Sequence, residues 1–445
     1  MSPSTVSRPL NLRLITKNSE HAIQFLNPEG AGINHSFGMD EPAGLYDLYS
    51  IAVAMHELER ELKRYARVRK SIKKVVIPLT HETLRRINQD AVSQVLTELS
   101  LEIFSKHIAF SFEAYSNHQT DFVKRYDDYA AICLFSGGAD SFVGVLDSKQ
   151  RYRDVLALNV SHAHSSHVSG CVSRLKNDVL SPEGIPLERI SVPKQIQRGY
   201  SQTRGLLYQV CAGITAFRHS SKRVVLSECG TTMYQPSFGL FDRVTFTSDP
   251  IVQSSTKRLM HELLDYDLDI NTPFEDWTKS EMFACSRRKD ELKNTLSCIS
   301  TRFGHNLGCC YGCAIRKIGF IVAGVNDCRY EYDLFSLADG TLLPQYGRGT
   351  GDGKITDFLG VMRFCHDILV DYESINPVKR RRIDRYNKQD LFRRFALDTF
   401  AALHIVSRRG KIGNTRLRKA FADSLNYVEI ATLEERIEVV RATSV

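Results

Sequence analysis

The stretch Leu134-Phe135-Ser136-Gly137-Gly138-Ala139-Asp140-Ser141 decides how this chain folds. An apolar run from Ala131 to Phe135 leads into it as a buried strand would. A Ser-Gly-Gly turn follows, and Phe142, Val143, Val145 and Leu146 then recur at helical spacing. The pattern predicts a strand, a tight anion-binding loop and a helix start. Glycines let the backbone approach an anion closely, Ser136 and Ser141 add hydroxyl donors, and the free N–H groups of the first helical turn point at the same place. Asp140 would repel an anion there, so its expected uses are to cap the helix or to hold a magnesium ion (Mg2+) that bridges to phosphate. The competing reading is an ordinary β-turn-α connection, because Gly, Ser and Asp are common turn residues.

Working outward, strands and helices alternate from about residue 130. Val155 to Val160, Arg189 to Val192 and Arg223 to Leu226 read as further strands, and Leu206 to Phe217 as a helix. Alternation of this kind predicts an α/β fold with a parallel sheet and helices on both faces, its ligands bound outside the carboxyl ends of the strands. The loops after the strands therefore supply the candidate site residues. Asn159 ends the second strand, and the following loop carries His162, His164 and His167, a polar or substrate-contacting segment in preference to a metal site. Arg204 opens a helix with its cation near the positive end of the dipole, which calls for a phosphate or carboxylate partner. Glu228 follows the fourth strand, placed for substrate or a cation. Thr278 and Glu281 have capping-box spacing, which leaves Lys279 available for phosphate.

The flanks read differently. Residues 1–126 look like an accessory α+β region, with strand patterns at Leu10 to Ile15, Val75 to Leu79 and Ile108 to Tyr115 and helical patterns at Leu45 to Val68 and Thr80 to Lys106. Residues 127–330 hold the motifs. Residues 331–445 are expected to be mainly helical and basic. Tyr330 to Leu337 and Thr341 to Leu343 read as short extended segments, Gln345 to Lys354 as a glycine-rich lid or turn, and Ile355 to Tyr372, Lys388 to Val406 and Asn414 to Leu425 as helices. Arg393, Arg394, Arg408, Arg409, Arg416 and Arg418 make that end suited to a partner or nucleic acid.

The 445-residue chain has 42% hydrophobic and 25% charged residues, values of a soluble globular protein. Without a signal-peptide pattern or a run of about 18 apolar residues, a cytoplasmic protein with no membrane partner is expected. The net charge of +8 suits a polyanion such as ATP without identifying nucleic acid as substrate, and the run Lys379-Arg380-Arg381-Arg382 reads as a solvated linker. Of the 11 cysteines, most stand singly, as small buried side chains do. Cys298, Cys309, Cys310 and Cys313 cluster. Cys310-x-x-Cys313 opens a helical pattern, and Cys298 with Cys309 or His305 can complete a closed tetrahedral zinc (Zn2+) site, a structural clamp; redox-active thiols are the alternative.

Ser136-Gly137-Gly138-Ala139-Asp140-Ser141 resembles the PP-loop of ATP pyrophosphatases, which cleave ATP between the α and β phosphates to adenylylate a substrate. It is not a Walker A loop, because no Gly-Lys-Ser/Thr follows. Together with the cysteine cluster and Arg316-x-x-Gly319-Phe320-x-x-Ala323-Gly324-x-x-Asp327, it resembles the 7-cyano-7-deazaguanine synthase (QueC) family over roughly residues 130 to 330. The resemblance implies an adenine-nucleotide α-hydrolase-like (HUP) domain and an ATP- and Mg2+-dependent C–N ligase. Such a ligase adenylylates 7-carboxy-7-deazaguanine, transfers it to an amine and, in true synthases, dehydrates the amide to the nitrile. It implies zinc near the nucleobase pocket and nucleotide contacts from Phe135 to Ser141, with Asn159 and Glu228 nearby and Lys279 and Arg204 stabilising phosphate charge.

The departures are Leu307 where the first cysteine of a trio is expected, Ser161-His162-Ala163-His164 in the substrate loop, and Asp327-Cys328-Arg329 after the final glycine. With the two added regions, they make the chain more similar to enlarged members encoded in bacterial anti-phage operons, the QatC-like group. For those the amine would belong to the N-terminus of a partner protein from the same operon. Housekeeping queuosine synthesis, a tRNA-modifying PP-loop enzyme, a noncatalytic ATP-binding subunit and a zinc-held nucleic-acid-binding module remain alternatives. Neither the acceptor nor the oligomeric state, a homo-oligomer included, is set by the sequence.

Overall fold

The computed structural model describes residues 10–16, 19–26, 42–67, 71–115, 127–162, 166–192, 201–236, 238, 246–297, 305–343 and 351–443. The first region is built on β1 (Leu10–Thr16), β2 (Glu20–Leu26), β3 (Ile72–Thr80) and β4 (Ala109–Tyr115), in the order β2-β1-β3-β4. β1 is antiparallel to both neighbours, while β3 and β4 are parallel and so need a crossover. α1 (Ala43–Arg67) precedes β3, and α2 (His81–Arg86) and α3 (Gln89–Phe104) form that crossover. The single helix expected over 80–106 is broken: Ile87 and Asn88 are extended, and the Asn88 side chain accepts the Ala91 N–H to cap α3.

The central region alternates β5 (Ala131–Leu134), α4 (Ala139–Tyr152), β6 (Val155–His162), α5 (Ser166–Leu175), β7 (Leu187–Val192), α6 (Arg204–Arg218), β8 (Arg223–Val225), α7 (Gly230–Met233), α8 (Pro250–Leu264) and β9 (Asp269–Asn271). The five strands are parallel, in the order β7-β6-β5-β8-β9. The chain therefore steps outward from β5 to β7 and returns to β5's other side as β8. This reversal makes the carboxyl ends of β5 and β8 the switch point where an open α/β sheet leaves a crevice. α9 (Lys279–Ala284) and α10 (Tyr311–Ala323) follow, then α11 (Gly351–Val370), α12 (Pro377–Arg385), α13 (Gln389–Arg408), α14 (Thr415–Ser424) and α15 (Ile430–Ala442). No helix among the described residues is long and apolar enough to cross a membrane.

Strand alternation divides the burial between two cores. Ile132, Leu156, Leu158 and Val224 face one side, where α6 and α8 pack with α1 and the first sheet. Ala131, Cys133, Ala157 and Val225 face the other, covered by α4, α9, α10 and the C-terminal helices.

Three expectations are corrected. Lys379–Arg382 is not a solvated linker but the middle of α12, capped by Asn376 with Pro377 in its first turn. Arg382 donates to Asp249 (2.5 Å) and to the carbonyls of Met233 (2.7 Å) and Gln235 (3.2 Å). Gly351 to Lys354 is the first turn of α11 rather than part of a loop. Most of Tyr330 to Leu337, expected to be extended, consists of bends and turns.

Candidate active site

The predicted loop joins β5 to α4. Phe135 extends the ladder through its N–H to the Leu158 carbonyl (2.8 Å), and the Asn159 amide donates to the Phe135 carbonyl (2.7 Å), tying the loop to the end of β6. Gly137 has φ +79°, and a Cβ there would lie 2.9 Å from Val172, so both backbone and space require glycine. The hydroxyls organise the turn. Ser141 Oγ donates to the Gly138 carbonyl (3.0 Å), accepts the Ser136 N–H (3.2 Å) and lies 3.1 Å from Ser136 Oγ, which in turn accepts the Gly138 N–H (3.3 Å). Gly138 is the N-cap of α4 and no side chain caps it. Asp140 is therefore not the cap, and the first N–H groups of α4, through Ala139 and Asp140, are left for an anion.

Three further loops bring charge to this point. Lys279, the first residue of α9, donates to both oxygens of Asp140 (2.5 and 2.6 Å), and both side chains are largely buried. Burial alone would lower the Lys279 pKa, but Asp140, with Cys229 and Glu228, holds it above its usual value. Glu228 follows β8; burial and the neighbouring Asp140 push its carboxyl up, opposed by Ser248, Lys279 and Arg204. Among the described residues, its Oε2 is buried without a hydrogen-bond partner, and so is Nε of Arg204 at the start of α6. Two orphaned polar atoms of opposite charge beside an uncapped helix are what a polar, phosphate-bearing ligand would satisfy. A magnesium ion at Asp140 would have to displace the Lys279 ammonium, whereas the unpartnered oxygen of Glu228 fits such an ion directly.

The loop is buttressed from behind. Leu296 donates its N–H to the Gly137 carbonyl (2.9 Å), and the segment that carries Leu296 is held by Arg316. This fully buried guanidinium donates to Asp327 (2.7 and 3.0 Å), Thr295 Oγ1 (2.6 Å), Ser297 Oγ (3.2 Å) and the Leu292 carbonyl (2.9 Å), while Tyr330 also donates to Asp327. Arg316 and Asp327 are thus a buried pair behind the site. Gly319 lets α10 approach α9, since a Cβ there would lie 3.0 Å from the Phe283 ring and 3.1 Å from Lys279 Cγ, and Phe283 meets Phe320 edge-on at 4.8 Å. A cavity of about 810 Å³ opens at the carboxyl end of α10 beside Asp327 and Tyr330, and no phosphate-loop residue lines it.

Of the four clustered cysteines, Cys309, Cys310 and Cys313 lie among the described residues, and all three are buried. Cys310 caps α10, accepting the Cys313 N–H (3.4 Å), and the two pack with Leu307 in a small buried cluster, whereas Cys309 belongs to the larger core. His305 is exposed and bonded to Glu331 (2.9 Å). Among the described residues no three His, Cys, Asp or Glu side chains form a metal-holding group. Cys298 and the side chains of His162, His164 and His167 fall outside the described residues. The donor chemistry of Cys310 and Cys313 fits half of a tetrahedral zinc site.

The loop, the switch-point sheet and the charges around it stand in a mixed α/β protein of the kind that PP-loop enzymes adopt. The chain is similar to a 7-cyano-7-deazaguanine synthase. That synthase, from Staphylococcus haemolyticus (strain JCSC1435), is 24% identical over 214 residues, covering 42% of this chain and 91% of the synthase. No protein-family model matches the chain. The likeness to the synthase leaves more than half of the present chain unaligned.

Sequence reasoning missed how the site is supported. Glu281 is legible as a capping-box residue, yet its partners Arg394 and Arg436 come from helices more than a hundred residues later. Glu59 of α1 accepts the N–H groups of Gln202 and Thr203 (both 3.0 Å) just before Arg204, and no local pattern marks it.

Proposed function

We propose that this chain is an ATP-dependent, AMP-forming C–N ligase that adenylylates a 7-carboxy-7-deazaguanine-like deazapurine and transfers it to an amine. The observation that carries this reading is the meeting, at the β5–β8 switch point, of an uncapped helix N-terminus with Lys279, Arg204 and Glu228, whose Oε2 has no hydrogen-bond partner among the described residues. Similarity to a protein named 7-cyano-7-deazaguanine synthase supports the substrate class.

In the first step a carboxylate oxygen of the deazapurine bonds to the α phosphorus of ATP. The bond from that phosphorus to the bridging oxygen breaks, and pyrophosphate leaves. In the second, the amine nitrogen bonds to the acyl carbon, AMP leaves and the amine loses a proton. The protein's contribution is positioning and charge stabilisation. The N–H groups of Gly137 to Asp140 and the hydroxyls of Ser136 and Ser141 cradle phosphate, Asn159 fixes the loop, and Phe135 sets its exit from the sheet. Lys279 turns from Asp140 towards the phosphates as the nucleotide binds, and Arg204 faces the same charge. Asp140 and Glu228 would hold magnesium, which neutralises phosphate charge when bound. Cys310 and Cys313, with Cys298 and either Cys309 or His305, would hold zinc as a structural cross-link.

The acceptor is the N-terminus of a partner protein in anti-phage defence, a reading supported by the divergent substrate loop and by the two flanking regions, which offer docking surface. The test is ATP–pyrophosphate exchange with 7-carboxy-7-deazaguanine. The Ser136→Ala, Asp140→Ala double variant should lose exchange, and full retention would sink the reading. Mass spectrometry of reactions supplied with ammonia or with proteins encoded beside this one then identifies the acceptor.

A further inference from the structure

The capping box of α9 carries far more than a cap. Glu281 Oε2 accepts the Thr278 N–H (2.8 Å), and Thr278 Oγ1 accepts the Glu281 N–H (3.3 Å). The same carboxylate also receives Arg394 Nη1 on both oxygens (2.6 Å each) and Arg436 Nη2 on Oε1 (2.8 Å). Arg436 reaches on through Nε to Asp398 (2.7 Å), and Arg394 Nη2 donates to the Asp276 carbonyl (2.7 Å), just ahead of the cap. Arg436 and Asp398 have side chains 7% and 1% exposed. Two guanidinia and two carboxylates are thus committed, mostly out of water, to the first turn of a helix only six residues long.

A capping box needs no guanidinium, and burying ions is a poor way to gain stability against apolar side chains of the same volume. What such a cluster supplies is a fixed geometry. A six-residue helix has little orientation of its own, and Lys279 follows the cap directly, two residues before the clamped Glu281. Its stem lies against Gly319 of α10 and its ammonium on Asp140, so any rotation of the first turn moves the charge relative to the phosphate loop.

We propose that Arg394 and Arg436 are positioning residues for Lys279, by which the C-terminal helices α13 and α15 set the first turn of α9 and hold the ammonium against the phosphate loop. The functional consequence rests on the ligase reading; the positioning itself does not.

The test therefore has two readouts on the full-length protein, for Arg436→Met and for the milder Arg394→Gln, whose side chain is partly exposed. The first is the rate at which a small acylating reagent modifies Lys279 in the nucleotide-free protein, followed by peptide mass spectrometry as a function of pH. Loss of the clamp should loosen the Asp140 pair and raise that rate at neutral pH several-fold, because the amine is no longer held against both carboxylate oxygens. The second is pyrophosphate exchange, where a misplaced cation should lower kcat by up to about a hundredfold and affect KM for ATP much less. Arg394→Lys, which keeps the charge but not the fork, should recover part of both effects. A merely structural role would lower the melting temperature and leave the labelling rate of the folded protein unchanged. Labelling within twofold of the parent in both variants overturns the proposal. Faster labelling with undiminished exchange upholds the positioning and counts instead against a role for Lys279 in the ligase reaction.

Discussion

The two flanking regions lie on opposite faces of one sheet, and each reaches the candidate site through the start of one helix, but with opposite chemistry. From the N-terminal side, Glu59, paired with Lys63 of its own helix (2.5 Å), projects its carboxylate onto neutral donors of the central region: the N–H groups of Gln202 and Thr203 and the hydroxyls of Ser201 and Thr203, both at 2.8 Å. That is an N-cap supplied from outside, and Arg204 is the first residue of the helix it caps. From the C-terminal side, guanidinia close on a carboxylate that already belongs to the helix, and Lys279 is carried there. The first arrangement satisfies donors that exist in any helix start. The second commits four charges that must all be paired, so it tolerates the loss of a member less well.

That difference sets the largest expected effect. Asp398→Leu leaves Arg436 buried with Glu281 alone and should cost about 3–5 kcal/mol in denaturant unfolding. Adding Arg436→Met to it should recover part of that stability, since no guanidinium is then left uncompensated. If the single variant costs less than its N-terminal counterpart, the contrast between the two clamps is wrong. That counterpart is Glu59→Ala, which strips the acceptor from those four donors and from the exposed Lys63 ammonium and should cost about 2–3 kcal/mol. Glu59→Gln keeps one acceptor oxygen and should fall between.

The regions should also respond to pH with opposite sign. Asp47, buried in α1 and accepting from Thr80 through its N–H and hydroxyl, is pushed up to about 6 by burial against those hydrogen bonds. Its folded value lies above its unfolded one, so the native state binds the extra proton. Its contribution is full below pH 3.8 and is lost as pH rises through about 6, a fall of about 3 kcal/mol. Glu281 is held the other way. Burial would raise it, but Arg436, the Thr278 N–H and Arg394 prevail and lower it, so its contribution is present above the unfolded value and disappears as pH falls through the folded one. Hydrogen exchange corrected for intrinsic rates should show α1 gaining protection between pH 7 and 5, with Asp47→Asn removing part of the gain. Protection there that is independent of pH would break the comparison.

What was legible in the sequence follows from range. The strand, the double glycine and the helix start at Ala131 to Leu146 are set by near neighbours, and the structure keeps them in place. Lys279 and Glu228 were nameable because each follows a recognisable turn, but their meeting with Asp140 depends on strand order, which no local pattern states. The run Lys379 to Arg382 looked solvated because its partners are distant: Asp249, which Arg382 contacts, is itself the cap of α8. The paired cap of Thr278 and Glu281 was read correctly, and the charges gathered on it were not.

The smallest expected effect concerns whether the flanks act on each other. Among the described residues, the ion pairs that join them run from α12 to Glu102 of α3: Arg385 at 2.6 Å and Arg381 at 3.9 Å. Both arginines are exposed to solvent, Arg385 at 41% and Arg381 at 70%, so their attraction is screened and entropically opposed. A double-mutant cycle on Arg385→Ala and Glu102→Ala should give a coupling of about 0.2–1 kcal/mol that shrinks as salt is added. Arg382→Ala, one turn away but inside, should cost more, because it leaves Asp249 and two carbonyls without their donor. A large, salt-insensitive coupling at Glu102 would mean that the two regions brace each other directly. A small one means that each works through its own face of the sheet, so that Arg204 and Lys279 are set independently and meet at Glu228, on which both cations act.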